Sequence, residues 1–414
     1  MFMRVQKLGG TFYAEETVHG FAAFIHSLTL SSSVRGFLRH REFRHGAGFA
    51  MCVIAALLAG CANGSRSSPP QPMRVPPGMS PPQARALIER SVPRKASDRA
   101  GWAADIYAAF IVLDIEFSRE NICAVVAVTE QESGFRVDPV VPGLAAIAWR
   151  EIDERAERAG VPRLVLHTAL QLRSPTGRSY GERIDGAKTE KDLSDIYEDF
   201  IGAVPLGRTL FAERNPIRTR GPMQVNVAFA EQYAAVRPYP YPVKQSIADE
   251  LFTRRGSLYF GTAHLLAYSA SYDTYLYRFA DFNAGQYASR NAAFQKALSS
   301  ASGIPLPPDG ALLPHDASAK SPGSTELAVR ALGKRLEMAP GEIHSALEQG
   351  KAAGFERTKL YERVFALAEQ AERHALPRAM IPQIQLHGPK IARRLTTAWY
   401  AHRVDQRFNQ CRTS

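Results

Sequence analysis

An apolar run over residues 122–128 predicts a buried helix that ends in acidic residues. Starting at about Arg119, such a helix would align apolar side chains on one face at three-to-four-residue spacing. Ser118 can cap its N-terminus, and Gly134 can stop it just after Glu132. Glu132 is therefore expected at the C-terminal end of an apolar helix. Its charge would be poorly solvated there, so its pKa should rise.

Helical spacing and helix-capping residues recur along the chain from Ser80 onward. Ser80, Pro81 and Gln83 have the pattern of a capping box with proline at the first helical position. Asp98 and Thr189 can cap two further helices. We predict helices over residues 81–91, 99–113, 119–132, 145–159, 162–172, 190–203, 227–236, 251–268, 325–336, 340–350, 358–375 and 389–408. The chain is therefore predicted to be mainly α.

The N-terminal part of the chain has the pattern of a lipoprotein signal. Four arginines precede an apolar run over residues 47–59, which is far shorter than the roughly 20 residues that span a membrane. The run ends in Leu-Ala-Gly-Cys at residues 58–61, so we predict that residues 1–60 are a signal region and that Cys61 carries a lipid. A chance cluster of small residues is the alternative. The basic region is longer than normal, so either the true start lies downstream of Met1 or the leader is extended.

Residues 61–82 are predicted to be a flexible tether that holds the rest of the protein off the membrane. They are rich in serine, proline and glycine and cannot bury a core. By resemblance to enteric lipoproteins, alanine rather than aspartate at position 62 favours the outer membrane. The membrane is thus an expected partner, through a lipid such as palmitate on Cys61.

Three short motifs lie in the remaining chain. Residues 132–135 read Glu-Ser-Gly-Phe, residues 221–224 read Gly-Pro-Met-Gln, and residues 282–285 read Phe-Asn-Ala-Gly after a hydrophobic helix. Each motif is weak alone, but in this order they resemble the signature of the soluble lytic transglycosylase and goose-type lysozyme superfamily. The resemblance implies a lysozyme-like helical domain over residues 83–300, interrupted by an insertion at residues 136–218.

A second resemblance covers more of the chain. The whole chain after the signal, including residues 284–295, resembles more closely an uncharacterised family of proteobacterial outer-membrane lipoproteins, the domain of unknown function 1615 family. That family carries no established reaction. Residues 301–414 are predicted to form a helical region packed on the lysozyme-like domain, as a support rather than as a second active site.

The motif resemblance implies that Glu132 is the catalytic acid. Cleavage of a glycosidic bond requires a carboxyl group that stays protonated near neutral pH. A lytic transglycosylase needs no second carboxylate, because the sugar's own hydroxyl attacks the intermediate. The implied substrate-binding residues are Ser133, Met223, Gln224, Phe282 and Asn283. The competing interpretations are a solvated glutamate at a frayed helix end and, for the second motif, a plain loop before a helix.

Two features depart from the resembled superfamily. In its members a short loop connects the first two motifs, whereas the insertion here is long and is predicted to be helical. Inserted helices could deepen a glycan-binding cleft or block it. Phe282 stands where the superfamily has a tyrosine whose hydroxyl commonly hydrogen-bonds near the catalytic carboxyl. Tyr287 could compensate for that missing hydroxyl.

Cysteine usage and charge add further expectations. Cys52 would leave with the signal, and Cys123 and Cys411 remain as an even pair that invites a disulfide in an oxidising periplasm; two separate thiols are the alternative. The formal net charge of +11 suits anionic surfaces such as peptidoglycan, and no basic run interleaved with aromatic residues points to nucleic acid.

No residues at metal-ligand spacing and no phosphate-cradling loop stand out, so no metal or cofactor is predicted.

Two functions follow from these patterns. The first is a lipid-anchored envelope protein that acts on or binds peptidoglycan glycan strands, as a lytic transglycosylase with Glu132 as acid and base. The alternative is a non-catalytic surface or periplasmic lipoprotein that binds glycan or a protein partner. The insertion and Phe282 favour the second function, whereas the intact first and second motifs favour the first.

Overall fold

Helices make up most of the part of the chain that the structure describes, and the prediction of a mainly α fold is confirmed. The structure is a computed structural model, and it describes residues 79–203, 215–314, 321–388 and 394–414. The helices are α1 (Pro81–Ser91), α2 (Arg99–Leu113), α3 (Arg119–Glu132), α4 (Leu144–Arg158), α5 (Arg163–Ala169), α6 (Tyr180–Asp185), α7 (Glu190–Gly202), α8 (Val227–Val236), α9 (Ile247–Glu250), α10 (Arg254–Leu266), α11 (Tyr275–Ala284), α12 (Ala288–Ser302), α13 (Ser324–Ala331), α14 (Gly333–Leu336), α15 (Pro340–Glu348), α16 (Lys359–Glu372) and α17 (Thr397–Thr413).

Two short antiparallel hairpins accompany these helices. Strand β1 (Thr219–Arg220) pairs with β2 (Val225–Asn226), so the second motif forms the turn between them. Strand β3 (Gln385–Leu386) pairs with β4 (Leu395–Thr396) directly before α17.

The predicted caps position several helices. The Ser80 backbone N–H donates to the Gln83 side chain at 2.9 Å, which completes the capping box of α1. The Ser118 hydroxyl accepts from the Asn121 backbone N–H at 3.2 Å and starts α3, whose bounds agree with the prediction. Thr189 likewise caps α7. Local capping signals therefore fix where these helices begin.

Three helix predictions need correction. Helix α3 is buried on every side over residues 122–129, not along one stripe, because it runs through the middle of a core. The helix predicted over 251–268 begins at Arg254, where the Thr253 side chain caps it. The last helix begins at Thr397 rather than near residue 389, because β4 pairs with β3 up to Thr396. Residues 389–393 of that prediction lie outside the described residues.

Three hydrophobic cores organise the described chain. The first combines α1, α2, α3, α10 and α11 with the final helix α17, so the end of the chain shares a core with residues 84–282. The second lies among α12, α13, α15 and α16. The third belongs to the insertion and is formed by α4, α5, α6 and α7. The segment predicted to be an insertion thus has a hydrophobic core of its own, and α17 is built into the core that contains α3.

The N-terminal predictions concern residues that are not described. The signal region, Cys52, Cys61 and the tether up to residue 78 lie outside the described residues. Within the described ranges, none of the helices combines the length and the apolar character needed to cross a membrane.

Candidate active site around Glu132

Helices α3 and α17 lie antiparallel and are joined at both ends. Cys123 in α3 forms a disulfide with Cys411 in α17, with a Cα–Cα distance of 5.6 Å. At the other end of the pair, the Tyr400 hydroxyl donates to Glu132 Oε1 at 2.6 Å. The candidate acid is therefore held by the last helix of the described chain.

The Glu132 carboxyl lies inside the first core. The residue is 1% exposed, and Tyr400 is fully buried. Just after Glu132 the chain turns sharply, with positive φ values at both Gly134 and Phe135. This turn directs the Phe135 ring into the core against Trp102, with ring centroids 5.1 Å apart. Burial of the ring compensates for a backbone conformation that is costly for a bulky residue.

Polar side chains lie beside Glu132 at the end of α3. Glu130 forms ion pairs with Lys95 at 2.9 Å and with Arg407 at 3.8 Å. The Arg407 guanidinium also donates to the Gln131 side chain at 3.1 Å. Lys95 is largely exposed, so its ion pair contributes little to stability, but these groups form a charged rim next to the buried carboxyl.

The third motif contacts the same helix as Glu132. The Thr397 hydroxyl donates to Asn283 Oδ1 at 2.8 Å. Thr397 and Tyr400 are three residues apart and share one face of α17. One face of α17 thus contacts both Asn283 and Glu132.

The second motif is clamped against α10. Gly221 has a φ of +73°, and a Cβ there would lie 1.8 Å from the Leu251 carbonyl oxygen, so glycine is required. The Met223 backbone N–H donates to the Ser257 hydroxyl at 2.9 Å. A Cβ on Gly261 would lie 2.4 Å from Met223 Sδ, which explains why this packing position is small. The turn and α10 therefore fit together with little freedom.

Gln224 makes its hydrogen bonds inside the protein. Its amide nitrogen donates to Glu190 Oε2 at 2.7 Å and to the Gly221 carbonyl at 3.4 Å. Its amide oxygen accepts from the Thr219 hydroxyl at 3.0 Å. Gln224 is 7% exposed and has a positive φ of 52°. Glu190 belongs to α7 of the insertion, and no feature of the sequence predicts this partnership.

Three of the other predicted substrate-binding residues are interior. The Ser133 hydroxyl donates to the Thr129 carbonyl at 3.1 Å. Met223 is fully buried, and the Phe282 ring packs 5.1 Å from the His264 ring. A saccharide would reach these side chains only if their neighbours moved, whereas Asn283 is half-buried.

Directly before the third motif, the buried Asp281 carboxylate is the centre of a cluster of hydrogen-bond donors. Asp281 accepts from the hydroxyls of Tyr268 at 3.0 Å and Tyr272 at 2.6 Å, and from the backbone N–H groups of Tyr287 at 3.0 Å and Ser289 at 2.6 Å. Burial raises the pKa of Asp281 to about 6, while these donors oppose the rise. The cluster fixes the turn between α11 and α12.

Sequence reasoning missed Tyr400, whose hydroxyl donates to Glu132. Tyr287, the residue expected to compensate, instead donates its backbone N–H to Asp281, and its ring packs under the Arg290 guanidinium at 4.3 Å. Tyr400 lies in a helix that the sequence pattern predicts, but nothing local indicates which helix it faces. A pairing across 268 positions carries no signal in a single sequence.

Comparison with known proteins places the chain in a family. The family model described as "Protein of unknown function (DUF1615)" matches residues 95–413. The chain belongs to this family. It is also 49% identical over 362 residues to "Uncharacterized protein YaiW" of Escherichia coli (strain K12), covering 87% of this chain and 97% of that protein. No solved structure matches the chain. The family region includes α3 and α17, and hence both Glu132 and Tyr400.

Proposed function

We propose that this protein is an envelope lipoprotein whose helical domain acts on peptidoglycan as a lytic transglycosylase. The observation that supports the proposal is the 2.6 Å hydrogen bond from Tyr400 to Glu132, at a junction that also holds Asn283. This hydroxyl takes the place of the one that Phe282 lacks relative to the resembled superfamily. Glu132 is the acid and base of the proposed reaction.

The proposed reaction uses one carboxyl group twice. Burial favours the protonated form of a carboxyl group, which is the form that can donate to a glycosidic oxygen. Because Tyr400 donates to Oε1, the acidic proton of Glu132 belongs on its other oxygen. As the bond between the anomeric carbon and the leaving oxygen breaks, that proton goes to the leaving oxygen. A hydroxyl of the same sugar then bonds to the anomeric carbon, and its proton returns to Glu132.

Access to Glu132 requires a conformational step. At 1% exposure the carboxyl has no room beside it for a sugar ring. Some of the side chains packed around the carboxyl have to shift for a glycan strand to enter. Such gating motions are common where an active site excludes water before reaction.

Turnover of purified sacculi tests the catalytic proposal. Wild type should release soluble muropeptides, and Glu132→Gln should release them on the order of 100-fold more slowly, because the amide cannot donate an acidic proton. Glu120→Gln is the matched control, since Glu120 lies on the same helix, is partly exposed and pairs with Arg412 at 3.4 Å. Equal release by wild type and Glu132→Gln, or no release by either, rules out Glu132 catalysis.

The second candidate function is a non-catalytic glycan binder. The observation that favours it is the interior position of Ser133, Met223 and Phe282, together with the engagement of Gln224 by Glu190. In that case wild type and Glu132→Gln should both sediment with sacculi, and neither should release soluble fragments.

The lipid anchor and the outer-membrane location remain proposals that rest on the sequence around Cys61. We expect Cys61→Ala to abolish partition of the protein into the membrane fraction, because the lipid would be attached to that sulfur. Cys52→Ala should leave the partition unchanged, since Cys52 lies within the proposed signal. Recovery of unaltered wild type in the soluble fraction would refute the anchor, and a density gradient distinguishes inner from outer membrane.

A further inference from the structure

The last helix of the insertion lies directly against the β1–β2 hairpin. Asn215, just before β1, donates from its side-chain amide to the Ser194 hydroxyl at 3.0 Å and to the Glu198 carboxylate at 2.9 Å. The buried Arg220 guanidinium lies 3.9 Å from the same Glu198 carboxylate. Helix α7 therefore contacts both the hairpin and the residues that lead into it.

At the N-terminal end of α7, Glu190 binds Gln224, for which the motif resemblance implies contact with the saccharide. The Gln224 amide nitrogen donates to Glu190 at 2.7 Å, and its amide oxygen accepts from Thr219. A side-chain amide nitrogen has two N–H donors, and Glu190 and the Gly221 carbonyl use both of them. A sugar oxygen can therefore accept a hydrogen bond from the Gln224 amide only by displacing one of these two partners.

We propose that α7 is an internal cap on the saccharide-binding face of the hairpin, with Glu190 holding Gln224 until a glycan strand displaces it. The inference rests on the proposed function and on the role in glycan binding that the motif resemblance implies for Gln224. A hydrogen bond to a carboxylate is stronger than one to a neutral hydroxyl. The cap therefore lowers the affinity of the hairpin for short or isolated sugars, and a strand that makes further contacts is needed to open it.

The contact between α7 and the hairpin has the composition of a separable interface. Ile196 of α7 packs in the core of the insertion, whereas Met223 and Val225 of the hairpin pack in the first core. The hydrogen bond from Gln224 to Glu190 and the ion pair of Arg220 with Glu198 join the two elements. Interfaces between units that move relative to each other are typically polar in this way. When α7 moves away, Arg220 keeps a second partner, Asp249, at 3.5 Å.

Co-sedimentation of the full mature protein with purified sacculi tests the cap. Glu190→Ala should bind on the order of tenfold more tightly than wild type, because glycan no longer competes with a charged hydrogen-bond acceptor. Asp195→Ala is the matched control, since Asp195 lies on the same helix and pairs with Lys191 of α7 at 2.6 Å. This control should bind like wild type.

Two further variants make the result specific. Glu190→Gln keeps an acceptor oxygen and the shape of the side chain, so it should fold normally and bind with intermediate affinity. The double variant Glu190→Ala/Gln224→Ala should not show the tighter binding of Glu190→Ala, because the Gln224 amide that would contact the glycan is then absent.

The possible outcomes separate the cap from the proposed function. If wild type binds sacculi and both Glu190 variants bind equally well, the cap is refuted and the proposed function stands. If neither wild type nor any Glu190 variant binds or cleaves sacculi, the proposed function fails and the cap fails with it. Tighter binding by Glu190→Ala that persists in the double variant would also overturn the cap, because the effect would not pass through Gln224.

Discussion

The Tyr400 hydroxyl donates a 2.6 Å hydrogen bond to the Glu132 carboxyl, and this bond joins residues that are 268 positions apart in the sequence. Both residues are buried in the core formed by α3, α11 and α17. The bond connects the first of the three motifs to a helix that contains none of them. The candidate acid thus depends on a residue outside the motif set.

Removal of the Tyr400 hydroxyl should weaken both the fold and the proposed reaction. Tyr400→Phe keeps the ring and leaves a buried carboxyl without one of its donors. We expect the free energy of unfolding to fall by about 1–3 kcal/mol, measured by urea denaturation. Release of muropeptides from sacculi should fall as well, because the carboxyl is no longer oriented.

Tyr361→Phe is the matched control for this substitution. The Tyr361 ring is buried in the second core, and its hydroxyl has no hydrogen-bond partner among the described residues. Its removal should be neutral or stabilising, since a buried hydroxyl without a partner costs free energy. If Tyr361→Phe and Tyr400→Phe destabilise the protein equally, the bond to Glu132 contributes nothing measurable.

The disulfide between Cys123 and Cys411 should stabilise the pairing of α3 with α17. It closes a loop with a sequence separation of 288 residues, so it constrains the unfolded chain strongly. We expect Cys411→Ala to lower the free energy of unfolding by about 2–5 kcal/mol in urea denaturation. A double variant with alanine at both cysteines should unfold identically with and without reductant. Insensitivity of the wild type to reductant would contradict the prediction.

Asp281 should make the stability of the fold depend on pH. Burial raises its pKa from 3.8 to about 6, so between these values the folded protein binds more protons than the unfolded chain. The stabilisation is complete below about pH 4 and is lost as the pH rises through about 6. The loss should be on the order of 2–3 kcal/mol in the free energy of unfolding.

Asp281→Asn isolates this titration. The variant should be less stable overall, because an amide cannot accept from all the donors that surround Asp281. The difference in unfolding free energy between wild type and variant should nevertheless shrink between pH 4 and pH 7. A difference that stays constant over this range would show that Asp281 does not titrate there.

A methyl group at Gly261 should displace the Met223 side chain. The added Cβ would lie within 2.9 Å of Met223 Cβ as well as 2.4 Å from its sulfur, so a rotation of the flexible end cannot relieve the overlap. We expect Gly261→Ala to cost about 1–3 kcal/mol in the free energy of unfolding. Gly341→Ala in α15 has open space around it and should be neutral or stabilising by up to about 1 kcal/mol. Equal thermal midpoints for the two variants would contradict this packing argument.

The features that sequence reasoning reached are those with a local cause. Helix α3 has its predicted bounds because Ser118 and Gly134 lie at its ends. The start of α17 was mispredicted because the β3–β4 hairpin, which no spacing in the sequence indicated, occupies the residues directly before it. The partners of Glu132 and Gln224 were missed because they lie far away in the sequence. Tyr400 and Glu190 reach them only after distant parts of the chain have packed together.

The position of α17 also constrains how the protein can be divided for experiments. A fragment that stops near residue 300 would contain all three motifs yet lack Tyr400, Thr397 and the partner of Cys123. It would expose the faces of α3 and α11 that α17 covers, and such a patch favours aggregation. Loss of activity in that fragment would therefore result from the absence of α17 from the core. It would say nothing about the chemistry of Glu132.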